Sequence, residues 1–165
     1  MPLKDALLPD VDRELGATRR LLERLPADRL AWKPHEKSMS LGQLAAHLAG
    51  IPRWGALTLQ TTEYDIAAEP AHGEAFGSPG QILALFEEHA GEMRRQLEQG
   101  AADGQLLARW TLKKDGQEIF SLPRVSALRT LVMNHLIHHR GQLTVYLRLL
   151  GVPLPPTYGP TADEP

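Results

Sequence analysis

A chain of 165 residues is long enough to bury one sizeable hydrophobic core. Its formal net charge is -2, with acidic and basic side chains interspersed, so it presents no basic face for nucleic acid or an anionic membrane. It contains no cysteine, which excludes disulfides, thiolate metal ligands and a protein thiol nucleophile; any thiol chemistry must use a thiol from outside.

The first ten residues carry acids and prolines where a secretory signal needs a long apolar run, and no stretch approaches the ~20 apolar residues of a membrane span. The expectation is a cytoplasmic protein with one domain over 1–165 and no membrane or nucleic-acid partner.

Taken in order, Val11, Leu15, Thr18, Leu21, Leu22 and Leu25 keep helical spacing, which predicts a first helix over about 10–25, stopped by Pro26. Leu30-Ala31-Trp32-Lys33-Pro34 reads as an extended connection with Trp32 plugging the core. Ser40 with Gln43 makes a capping-box pattern that opens a second helix over about 40–62. Leu44, His47, Ile51 and Trp54 share one face of it, and Pro52 cannot donate to the carbonyl of Leu48, which predicts a kink. Residues 63–79, with Pro70, Gly73, Gly77 and Pro79, read as a long irregular connection that could cover a site, with His72 exposed on it.

A third helix is expected over about 79–99 on the stripe Ile82, Leu85, Phe86, His89, Met93 and Leu97, with His89 a satisfied core or boundary residue. The period then changes. Trp110, Leu112, Asp115-Gly116, Ile119 and Leu122 predict a hairpin over about 108–122 around a tight turn. A fourth helix follows over about 124–150, and the proline-rich residues 151–165 form an extended tail with Tyr158 laid on the surface. The fold class implied is all-α, a four-helix bundle with a small β-hairpin between helices 3 and 4.

Three of the seven histidines fall within Asn134-His135-Leu136-Ile137-His138-His139-Arg140-Gly141-Gln142-Leu143. On a straight α-helix advancing about 100° per residue, Leu128, Val132, His135, His139, Leu143, Tyr146 and Leu150 form one band, which puts His135 and His139 in the core stripe and His138 on its edge. An imidazole aimed into a core needs a partner for its nitrogens, and a pair at i and i+4 can share one divalent metal or simply hydrogen-bond. Sites in bundles are built from inward side chains on facing helices, so His47 with His135 and His139 would make a three-histidine site with open positions. His138 is the rival of His139. The ligand set suits zinc, nickel, iron or copper. Arg140 is expected in a structural salt bridge or at an interface, and Gln142 orienting a ligand or bonding within the core.

These segments, together with Ala46-His47-Leu48 and Tyr158-Gly159-Pro160-Thr161-Ala162-Asp163-Glu164, resemble the DinB (damage-inducible) superfamily over essentially the whole chain. That resemblance implies a four-helix-bundle metalloprotein related to thiol-dependent S-transferases and to mycothiol-dependent maleylpyruvate isomerase, with His47, His135 and His139 as metal ligands. The extra C-terminal domain of the isomerase branch is missing from this sequence, which puts mycothiol in doubt. It implies a divalent metal, zinc or nickel first and iron next, a low-molecular-weight thiol, a small-molecule substrate and a homodimer. Met133 and Ile137, on the side of helix 4 away from the histidines, would supply apolar surface for such a dimer. Two functions compete: a metal-dependent transferase or hydrolase that activates a thiol or water, and a non-catalytic stress protein in which the metal is structural.

Overall fold

A computed structural model describes residues 1–68, 77–100 and 102–165. Four long helical segments form the bundle: α1 (Leu3–Leu22), α2 (Leu41–Gln60), α3 (Pro79–Gly100) and a final helix that includes α6 (His135–Leu149). Each lays an apolar stripe inward, and helix packs on helix as burial of those stripes requires. α2 packs against α3 on one side and against the final helix on the other, while α1 closes the ring by touching α3 and α6.

α1 begins seven residues earlier than its expected start near residue 10. Pro9 reads as a barrier, yet Leu7 is buried one turn before Val11 and the stripe continues across the proline. The amide of Leu3 donates to Asp103 Oδ1 at 2.7 Å, so a carboxylate from a distant segment caps this helix start.

α2 opens as its capping box dictates. The Gln43 amide donates to Ser40 Oγ at 3.1 Å and the Ser40 amide to Gln43 Oε1 at 2.8 Å. The helix runs on through Pro52 to Gln60. At its far end the buried Arg124 guanidinium donates to the carbonyls of Thr58 at 2.9 Å and Thr61 at 2.7 Å, placing a cation on the negative end of the helix dipole.

The expected hairpin forms from β2 (Arg109–Lys114) and β3 (Gln117–Pro123), turning at Asp115 and Gly116, whose φ values of 51° and 76° are both left-handed. A third strand, β1 (Glu63–Asp65), lies parallel to β2 with Glu63 opposite Thr111. It occupies the start of the stretch expected to be irregular. The Asp65 carboxylate accepts from the amides of Ala67, Asp115 and Gly116, which ties β1 to the turn and holds its pKa below the usual range. Part of that stretch, with His72, lies outside the described residues. A short helix α4 (Asp103–Leu107) also precedes the hairpin, in a stretch between the third helix and the hairpin for which no element was expected. The sheet buries Trp110 and Leu112 against Ala127, with Trp54, Tyr64, Phe120 and Leu131 around them. Trp110 Nε1 is satisfied by Thr61 Oγ1 at 3.0 Å.

The final helix departs from the uniform α-helix expected over about 124–150. It comprises a turn of α-helix, α5 (Arg124–Ala127), a π-helical segment (Leu128–Asn134), and α6. Below it, residues 151–165 carry no regular element but are pinned. Arg148 pairs with Asp163 at 2.5 Å, Arg24 with Glu164 at 2.6 Å, and Arg20 donates to the Pro156 carbonyl at 3.1 Å.

Candidate metal centre

The widened turn changes which residues face the core. Buried positions run Leu128, Val132, Leu136, Arg140, Leu143 and Leu147. His135 and His139 therefore sit one residue to the side of the core stripe and are half-buried, not in its middle as a straight helix would place them. This seam position faces α2. His47 is likewise half-buried and belongs to the opposite wall.

Three imidazoles converge there. Nε2 of His47 stands 3.1 Å from Nε2 of His135, and one ligand nitrogen from each of His47, His135 and His139 lies within 4.8 Å of the others. Two nitrogens bound at 2.0–2.1 Å to one tetrahedral ion are about 3.3 Å apart, so the His47–His135 spacing fits a shared cation closely. The ring centroids are separated by 4.5 Å for His47 and His139 and 4.6 Å for His135 and His139. No carboxylate joins this group among the described residues.

His139 is oriented from behind. Its Nδ1 donates to Gln142 Oε1 at 2.7 Å, which leaves Nε2 as the lone-pair nitrogen. Partial burial pushes the His139 pKa below its ordinary value, against the opposing pull of the Gln142 bond. A neutral imidazole is the form a metal requires. His138, the rival position, is exposed; its ring lies 4.8 Å from that of His139 but its nitrogens are not in the converging group.

The remaining singled-out residues do structural work. His89 Nδ1 donates to the carbonyl of Ala49 at 3.0 Å, as a boundary histidine should. Arg140 is buried in the salt bridge anticipated for it, with Nη2 donating to Glu14 Oε2 at 2.5 Å. Trp32 is half-buried, set edge-on against Tyr146 at 5.6 Å. Met133 packs against the main core, and Met133 and Ile137 are both half-buried; the exposed apolar residues of α6 are Val145 and Leu149.

Two aromatic pairs lie further along the same two helices, each about two turns beyond the histidines. Trp54, two turns along α2 from His47, lies edge-on to Tyr64 at 5.6 Å. Tyr146, two turns along α6 from His139, meets Trp32 and donates its hydroxyl to the Met39 carbonyl at 3.2 Å. The start of α2 thus faces the end of α6, so the two helices run antiparallel past the site.

Comparison with solved structures shows the same architecture. A DinB-like protein from Bacillus cereus superposes with a TM-score of 0.76 at 24% identity, covering 95% of this chain and 98% of that one. A second, YjoA from Bacillus subtilis, gives 0.68 at 22% identity, covering 96% and 98%. In sequence, the uncharacterized protein YrdA of Bacillus subtilis (strain 168) is 28% identical over 162 residues, 97% of this chain and 90% of its own length. No helix among the described residues is long and apolar enough to cross a membrane. The DinB family model matches residues 4–165, and the chain belongs to the DinB family.

Proposed function

We propose that His47, His135 and His139 hold one divalent metal ion, zinc or nickel first and iron next, and that this centre serves a transferase or hydrolase acting on a small electrophilic molecule. The observation that carries the reading is the convergence of three half-buried imidazole nitrogens within 4.8 Å on two facing helices. Three neutral ligands leave the full charge on the ion and at least one position open, where a bound water or thiol would have its pKa drawn toward neutrality. The chain has no cysteine, so a thiol nucleophile would be an external low-molecular-weight one. Around the ion, Gln142 would fix the His139 ring, and the aromatic pairs at Trp54 and Tyr146 would wall the site at both ends.

A second reading is favoured by the placement of the ligands: His47 on α2 and the pair on α6 would let the metal simply staple two helices. The two readings differ in the open position. Protein purified without a histidine tag should contain about one metal per chain, lost in His47→Ala and in His139→Ala. Metal content unchanged in both variants would sink the site. With metal established, a visible spectrum of the cobalt form that shifts on adding a small thiol supports the open, reactive centre, and one indifferent to thiols supports the staple.

The same reading takes the protein as a cytoplasmic homodimer with no nucleic-acid partner. Val145 and Leu149, 56% and 62% exposed one turn apart on α6, would supply apolar contact. Light scattering that gives a single-chain mass would remove the dimer.

A further inference from the structure

The buried residues of the final helix do not keep one α-helical period along its length. From Leu128 to Arg140 is twelve residues; at about 100° each they would point roughly 120° apart, yet both are buried. Counting one residue fewer brings them to within about 20°. The π-helical segment Leu128–Asn134 supplies that correction, because a wide turn absorbs one extra residue without advancing the face of the helix. Upstream, Arg124, Ala127, Leu128 and Val132 share a stripe; downstream, Leu136, Arg140, Leu143 and Leu147 share another; the wide turn brings the two into phase.

The histidines depend on that phase. Were the segment straight α-helix, His135 and His139 would continue the stripe of Leu128 and Val132 into the core, and Leu136 and Arg140 would be turned out of it. With the wide turn in place, the slots are filled by Leu136 and Arg140, and the histidine pair is set at the seam opposite His47.

We propose that the wide turn over residues 128–134 is a one-residue phase insert that positions His135 and His139 toward His47, and that its exposed residues Arg129 and Thr130 act by their presence in the count, not by their side chains. The metal readout of this proposal rests on the three-histidine reading above; the phase itself does not.

Lengthening and shortening the turn test it, because the two changes are not equivalent. Deleting Thr130 removes the extra residue, so the turn becomes ordinary α-helix while both stripes stay in phase. Inserting an alanine after Thr130 adds a second extra residue and rotates His135 and His139 into the slots of Leu136 and Arg140. The deletion variant should melt near the wild-type temperature, bind Co(II) within about threefold of wild type and give the same d–d spectrum; the insertion variant should bind at least about a hundredfold more weakly and melt lower. In a plain α-helix both changes rotate the pair by the same angle and both fail. A deletion variant that unfolds or loses Co(II) as the insertion does overturns the proposal, and so does an insertion tolerated as well as the deletion. Wild-type protein that takes up no Co(II) removes the metal reading alone, since the melting temperatures of the two variants still read the phase.

Discussion

Gln142 Oε1 lies 2.7 Å from His139 Nδ1, one turn along the same helix, and this bond fixes which ring nitrogen of His139 carries the proton. An amide oxygen can only accept, so Nδ1 carries the proton and Nε2 is left with its lone pair. Gln142 is itself exposed, and its replacement leaves the core untouched. Gln142→Leu should therefore leave the melting temperature of the metal-free protein within a degree or two while weakening metal binding by about tenfold, the low end of the range for groups that orient metal ligands. Gln142→Glu, which keeps an acceptor and adds charge, should bind at least as tightly as wild type. Competition titration with a chromophoric chelator reads both; equal affinity of wild type and Gln142→Leu would show that the bond orients nothing.

His139 also links pH to the stability of the metal-free protein. Burial lowers its pKa from 6.5, so the folded state resists the proton that the unfolded state accepts. Its contribution is thus fully present above pH 6.5 and is lost as pH falls through the lowered folded value. Urea unfolding in the presence of a chelator should show wild type losing stability between pH 7 and 5 more steeply than His139→Gln, in which this group no longer titrates. Parallel pH profiles for the two proteins would contradict the assignment.

The His135 and His139 pair, the capping box at Ser40 and the Asp115-Gly116 turn were legible because each is written in residues close together: a cap spans four positions, a tight turn two, a helical i, i+4 pair five. His47, 88 residues before His135, joined the pair only through bundle geometry and the family resemblance. What escaped the pattern depends on partners far along the chain. The start of α1 is satisfied by Asp103, one hundred residues away, and β1 exists because β2 offers it an edge. The π-helical segment escaped for a different reason. An angular count assumes a constant turn, and one absorbed residue moved Leu136 and Arg140 into the places assigned to His135 and His139 without changing which histidines meet His47.

Arg140, Glu14 and Tyr158 form a closed set at the α1–α6 contact. Arg140 Nη2 donates to Glu14 Oε2 at 2.5 Å and to Tyr158 Oη at 2.6 Å, and Tyr158 Oη donates to Glu14 Oε2 at 2.7 Å. The Arg140 and Glu14 side chains are only 3% and 8% exposed, so either one alone would be an uncompensated charge in the core. Arg140→Leu should cost about 3–5 kcal/mol, whereas Tyr158→Phe, which removes one hydroxyl from a surface ring, should cost about 1–2 kcal/mol. In a double-mutant cycle the two losses should fall short of additive, because one of the hydroxyl's two partners disappears with the guanidinium. Strictly additive losses in chemical denaturation would mean that the tail and the ion pair act independently.

Gly55 on α2 lies directly against the Met93 side chain of α3. A Cβ on Gly55 would stand 2.5 Å from Met93 Sδ and 2.6 Å from its Cγ, while Met93 is fully buried and cannot swing into solvent. Alanine is ordinarily the better helix residue by about 0.5–1 kcal/mol, so propensity and packing oppose each other here. Overlap at such distances forces the helices apart or the thioether off its rotamer, at a cost of about 1–3 kcal/mol, and packing should win. Gly55→Ala is thus expected to lower stability despite its higher helix propensity. Met93→Ala alone should cost about 2–5 kcal/mol through the cavity it leaves. Placed together, the new methyl enters the space the thioether vacates, and the double variant should be more stable than the sum of the two losses by roughly 1–2 kcal/mol. Thermal and urea unfolding of the four proteins measures this coupling directly; a Gly55→Ala variant more stable than wild type would show that α2 and α3 separate there at no cost.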